Sequence, residues 1–121
     1  MASRKSDKAT VLDFEALVAQ NDEYRNVIWT GKFLQMTTMT IKRGKSIGLE
    51  VHHDTDQMLY VQQGAGLVSF KSTKNGNATE YVVQAGHAIL VPAGTWHDVL
   101  NTGRSRLKLV SLYAPPHHPS A

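Results

Sequence analysis

Four side chains in this sequence suit metal chemistry if the fold brings them together: Glu50, His52, Gln57 and His97. Glu50 and His52 are two residues apart, so on a β-strand they share a face, with Val51 and His53 on the other. Gln57 opens the next β-rich run and can face that pair across the polar turn His53 to Asp56. His97 stands early in a later run, just after Pro92-Ala-Gly94, a bend that lets a strand begin abruptly. Two imidazoles, a carboxylate and an amide oxygen suit a divalent ion such as zinc, manganese, iron or nickel, with positions left open for water or substrate. A carboxylate inside an apolar lumen is costly without a cation or a hydrogen-bond network, which favours the same reading. Glu50 is then a ligand or a general base, and His52 and His97 are anchoring ligands.

These residues need strands to hold them, and the chain is rich in strand signals. A polar, basic stretch over 1–9 reads as a disordered lead-in. Leu12, Ala16, Leu17 and Ala19 then recur at roughly helical spacing, with Thr10 or Asp13 as N-cap, which predicts one short helix. From Arg25 onward the texture changes to short Val-, Ile-, Thr- and Tyr-rich runs near 25–29, 33–42, 47–52, 57–63, 67–71, 79–83, 87–91, 95–100 and 107–113. Many short runs at spacings near ten residues predict an all-β sandwich or barrel, with Lys74-Asn75-Gly76 as a hairpin tip. No helical pattern separates them, which excludes parallel βαβ topology. In a closed barrel Leu59, Val61 and Val99 should form an apolar inner wall, while Tyr60 and Trp96 face outward. The three prolines of 114–121 cannot continue a strand, so that segment reads as an extended tail. Its His117 and His118 read as a solvated pair, with folding over the barrel opening as the alternative.

The glycine, proline and histidine spacings carry a family resemblance. Gly86, Pro92, Gly94, His97 and Asn101 stand at every fixed position of the second cupin motif. Chance would produce such a match in about one chain in 10⁴ or fewer. Gly44, His52 and Gly64 match the first cupin motif, whose remaining two ligand positions hold Glu50 in place of His and Gln57 in place of Glu. The chain thus resembles a small monocupin, and its closing Tyr-Ala-Pro-Pro-His-His-Pro is similar to members described as mannose-6-phosphate-isomerase-like. The resemblance implies a single cupin jelly-roll β-barrel over 10–113, with motif one at 44–64 and motif two at 86–101. The usual three His and one Glu carry a single negative charge. The set here keeps that charge and exchanges one imidazole for an amide oxygen.

Composition narrows the partners. The formal net charge of +3 is spread along the chain, without the basic stripe of a nucleic-acid binder. The absence of cysteine excludes thiolate sites, disulfides and cysteine nucleophiles. The polar start lacks a signal-peptide core, and the longest purely apolar run, Ala88 to Val91, cannot span a membrane, so a cytoplasmic location is expected. Short strands with open edges predict a homodimer. The expected role is metal-dependent binding of a small polar, sugar- or carboxylate-like molecule, with an isomerase- or lyase-type step if the protein is an enzyme. A non-haem metal dioxygenase and a non-catalytic sensor or binding module are the alternatives. A sugar-phosphate substrate would need a basic cluster at the barrel mouth, for which Lys32, Lys42 and Arg43 are the candidates.

Overall fold

The computed structural model describes residues 8–119, so most of the lead-in expected at 1–9 lies outside the described residues. The helix α1 (Phe14–Gln20) starts at Asp13, whose side chain accepts the Ala16 N–H, and not at Thr10. It ends at Asn21, and the Lys108 ammonium donates to the Ala19 carbonyl in its last turn, where a cation complements the helix dipole.

Eight strands follow: β1 (Arg25–Thr30), β2 (Gln35–Ile41), β3 (Asp56–Gln63), β4 (Ala65–Lys71), β5 (Thr79–Gln84), β6 (Ala88–Val91), β7 (Trp96–Asn101) and β8 (Leu107–Ala114). All pairs are antiparallel, in a five-stranded sheet ordered β1-β2-β8-β3-β6 and a three-stranded sheet ordered β5-β4-β7. Both sheets feed one core: Met39, Leu59, Val61, Ile89 and Leu109 from the larger, Val68, Val83 and Val99 from the smaller. Leu59, Val61 and Val99 have no exposed surface, as the alternation along their strands requires. Tyr60 and Leu112 point to the other face of the larger sheet and are half-covered around Val18 of α1, Met36 and Val110. Trp96 also points away from the core and lies half-buried, 5.9 Å from the Lys74 ammonium.

One expected strand does not form. The run 47–52 makes one isolated bridge to β7, Glu50 with His97, and a second, Ser46 with Leu100, stands just before it. Gly48 interrupts the run with φ of 82°, and Gly44 just ahead of it has φ of 75°, a left-handed conformation that a continuous ladder cannot contain. The segment still tracks β7: the Ile47 N–H donates to the Val99 carbonyl and the Asn101 N–H to the Lys45 carbonyl. Asn101 locks this end of the barrel, donating to the Ile41 and Ser105 carbonyls and accepting the Gly103 N–H, each at 2.9 Å.

Candidate metal centre

The bridge between Glu50 and His97 builds the site. Each residue donates its backbone N–H to the other's carbonyl, at 2.9 and 2.8 Å, and directly opposed residues of such a pair project to the same face. The Gly94 N–H, in the bend before β7, donates to the His52 carbonyl at 2.8 Å and fixes the next inward position. Two contacts to β7 and its leading bend thus do what a regular strand was expected to do. Potential ligand atoms of Glu50, His52 and His97 all lie within 4.8 Å of one another. His52 Nε2 is 3.6 Å from Glu50 Oε1, and the two imidazole centroids are 5.3 Å apart with planes tilted by 54°.

The donor chemistry fits a metal ion. His97 is fully buried, and its Nδ1 lies 3.0 Å from the Thr95 carbonyl. A carbonyl only accepts, so Nδ1 carries the proton and Nε2 is left as a lone-pair donor. That Nε2 and both ring nitrogens of His52 are buried without a hydrogen-bond partner among the described residues. Buried polar atoms are ordinarily satisfied, so nitrogens orphaned beside a carboxylate mark a place for a ligand. Burial pushes the Glu50 carboxyl up, but His52, Arg25 and His97 outweigh it and hold it below the usual carboxylate value. Burial holds the His97 ring below the ordinary imidazole value, against the opposing pull of the Thr95 carbonyl. An ionised carboxylate beside a neutral imidazole is the state a divalent cation requires.

Gln57 faces inward as expected and is buried. Its Nε2 donates to Ser111 Oγ at 2.9 Å, which leaves Oε1 buried without a partner. His53, Asp54 and Asp56 are exposed, in keeping with turn chemistry. The Asp56 carboxylate accepts the Ala93 N–H at 2.9 Å and ties this turn to the bend before β7.

Several residues at the site were not singled out by the sequence. Arg25 places a guanidinium nitrogen 3.6 Å from Glu50 Oε2, and its Nε is buried without a partner. Lys32 and Lys42 precede and follow β2, so seven extended residues, or about 20 Å, hold them apart, and Arg43 adjoins Lys42. They form no common cluster; among the described residues the cation at the triad is Arg25. The fully buried Tyr113, opposite Gln57 on β8, packs edge-on against His52 with centroids 5.8 Å apart. Burial raises its pKa, against the Ser111 and Thr37 hydroxyls. The tail histidines are not a freely solvated pair. The His117 ring stands 4.2 Å from that of His52, and the His118 ring 4.8 Å from that of Tyr113. Burial, the Arg25 charge and His117 push His118 down to about 4.

The comparisons with known proteins agree with this architecture. The cupin domain family matches residues 37–113. The uncharacterized protein YrkC of Bacillus subtilis (strain 168) is 45% identical over 112 residues, covering 93% of this chain and 60% of that protein. The uncharacterized protein L612 of Acanthamoeba polyphaga mimivirus is 35% identical, covering 83% of this chain and 61% of its own length. The chain therefore spans about three-fifths of these curated relatives. The crystal structure of BH2720 from Bacillus halodurans superposes with a TM-score of 0.95 at 42% identity, covering 99% of this chain and 91% of that one. Among the described residues no helix is long and apolar enough to cross a membrane. From its matched motifs, its two antiparallel sheets and these relatives, the chain belongs to the cupin domain family.

Proposed function

We propose that this protein is a metal-dependent cupin that binds a small polar molecule of sugar or carboxylate type and carries out an isomerase- or lyase-type step on it. One observation carries the reading: three buried ring nitrogens of His52 and His97 stand without partners beside the Glu50 carboxylate. Glu50, His52 and His97 are the ligands, and Gln57 offers its free Oε1 as a fourth. A bound divalent ion would supply Lewis acidity and a template for the ligand. The chain contributes the rest: Glu50 holds charge or takes a proton at its carboxylate, and Tyr113 and the tail wall off solvent. The mannose-6-phosphate-isomerase-like variant finds no support in the basic residues, since Lys32 and Lys42 lie at opposite ends of β2. Elemental analysis of the purified protein, of His52→Ala and of His97→Ala tests the proposal. Stoichiometric metal in the wild type and its loss in both variants is the expected result; stoichiometric metal in both variants would overturn it.

Two histidines and one carboxylate also compose the facial triad of non-haem iron oxygenases, which favours a dioxygenase as the second reading. That reading requires iron in the purified protein and oxygen uptake with substrate, and anaerobic turnover would sink it. A binding module without chemistry would instead keep its ligand after Glu50→Gln and never turn it over.

A further inference from the structure

The C-terminal segment is built onto the site. Gln35 of β2 has no exposed surface, and its amide holds two tail residues. Oε1 accepts the backbone N–H of His117 at 3.0 Å and of His118 at 2.8 Å, and Nε2 donates to the His118 carbonyl at 2.7 Å. Nε2 also reaches Thr30 Oγ at 3.2 Å. A buried amide must be satisfied, and this one is satisfied largely by backbone groups 82 and 83 residues away. It is a latch. The latch sets the His118 ring perpendicular to Tyr113, with its Nε2 buried and unpartnered. The unpartnered Nε of Arg25 is a buried donor at the same site, on a guanidinium 3.6 Å from Glu50, and the neutral His118 ring can donate there from Nε2 in the tautomer that carries the proton on that nitrogen. Once Glu50 holds a divalent ion, the ion, the carboxylate and the guanidinium sum to two positive charges, and with Asp98, whose carboxylate also acts on His97, the site still keeps a net positive charge.

We propose that Arg25 and His118 form an anion-binding arm of the metal site, with Gln35 as its latch, and that the ligand is a small carboxylate held between this arm and the metal. The inference rests on the metal reading above and narrows it. A planar guanidinium matches a carboxylate's two oxygens, whereas a phosphate ester would call for further cations, and among the described residues the triad has none besides Arg25. A neutral polyol would leave the charge unbalanced.

The test is calorimetric titration of malonate, with erythritol as the neutral control, into protein loaded with Zn²⁺ or Mn²⁺, whichever it retains. Metal affinity is read separately by chelator competition. Wild type should bind malonate and ignore erythritol. Arg25→Met and His118→Ala should weaken malonate about ten-fold or more, the loss of one charge-assisted hydrogen bond. His118→Ala should change metal affinity little, and Arg25→Met, which removes a positive charge 3.6 Å from Glu50, should not weaken it. Gln35→Leu should match His118→Ala, and the double variant should add nothing, because the latch acts only through the residue it holds. His118 lies in a tail segment outside every helix and strand, so its variant reads the arm even if Gln35→Leu fails to fold. Unchanged malonate binding in His118→Ala overturns the inference, as does preference for erythritol. Malonate binding that both arm variants abolish, in a protein that takes up no metal, would uphold the arm and overturn the metal reading. Protein that takes neither metal nor malonate overturns both.

Discussion

Gln57 offers a prediction in which stability and metal affinity part company. In Gln57→Leu the volume stays nearly constant, so packing beside Tyr113 and Val91 is largely kept. The variant loses the 2.9 Å bond to Ser111 Oγ, worth about 1 kcal/mol, and leaves that hydroxyl to find another partner. It also removes a buried Oε1 with no partner, a burden of about 1–3 kcal/mol in the metal-free protein. The two effects oppose each other, so metal-free Gln57→Leu should unfold in urea within about 1 kcal/mol of wild type. Metal-loaded protein should behave differently. If Oε1 faces the ion, as ligand or as partner of a ligand, its removal should weaken binding by about 10- to 100-fold in chelator competition. Wild-type metal affinity in Gln57→Leu would refute the role given to Oε1. A loss of about 3 kcal/mol or more without metal would show that Oε1 already has a partner within the protein.

Other expectations follow from the same geometry. Leu59→Ala, at a fully buried core position, should lower unfolding free energy by about 2–5 kcal/mol in urea titration; a loss below about 1 kcal/mol would contradict its place in the core. Gly64→Ala should destabilise by about 1–2 kcal/mol or more, because φ is 96° and a Cβ would stand 2.9 Å from the Arg106 carbonyl oxygen. In metal-free protein the His118 ring should titrate near 4, against 6.5 in an unfolded chain. A lowered folded value means the unfolded chain binds the proton first. The contribution is therefore whole above pH 6.5 and is lost as pH falls through about 4; a ring NMR midpoint near 6.5 would refute the latched position. The homodimer expected from open strand edges is checked by sedimentation equilibrium. Leu90, 67% exposed on the edge strand β6, is the position where a Leu90→Glu change should favour monomer.

Much of the fold was legible in local pattern. Strand alternation is a two-residue property, so the inward register of Leu59, Val61, His97 and Val99 could be read without coordinates, and so could Gln57. Gly, Pro and Asn mark turns through their own backbone preferences, which made the second motif and the barrel readable as a unit. The pairing of Glu50 with His52 was right in outcome and wrong in cause. It rests on the bridge to His97 and the contact from Gly94, because Gly48 breaks the strand that the alternation seemed to require.

The sequence by itself determined that a barrel would form and that His97 and Gln57 would point into it, since both follow from short-range periodicity and turn chemistry. Glu50 and His52 instead owe their facing to contacts with β7 and its leading bend. Only the tertiary structure decided what stands around them. Arg25 reaches Glu50 across 25 residues of chain, and Gln35 holds His118 across 83. A lone arginine on an ordinary strand, a glutamine in a threonine-rich one and two histidines among prolines carry no local mark of such partners. Contacts at that separation depend on strand order and on which polar group a buried amide finds. That information exists only once the sheets have closed.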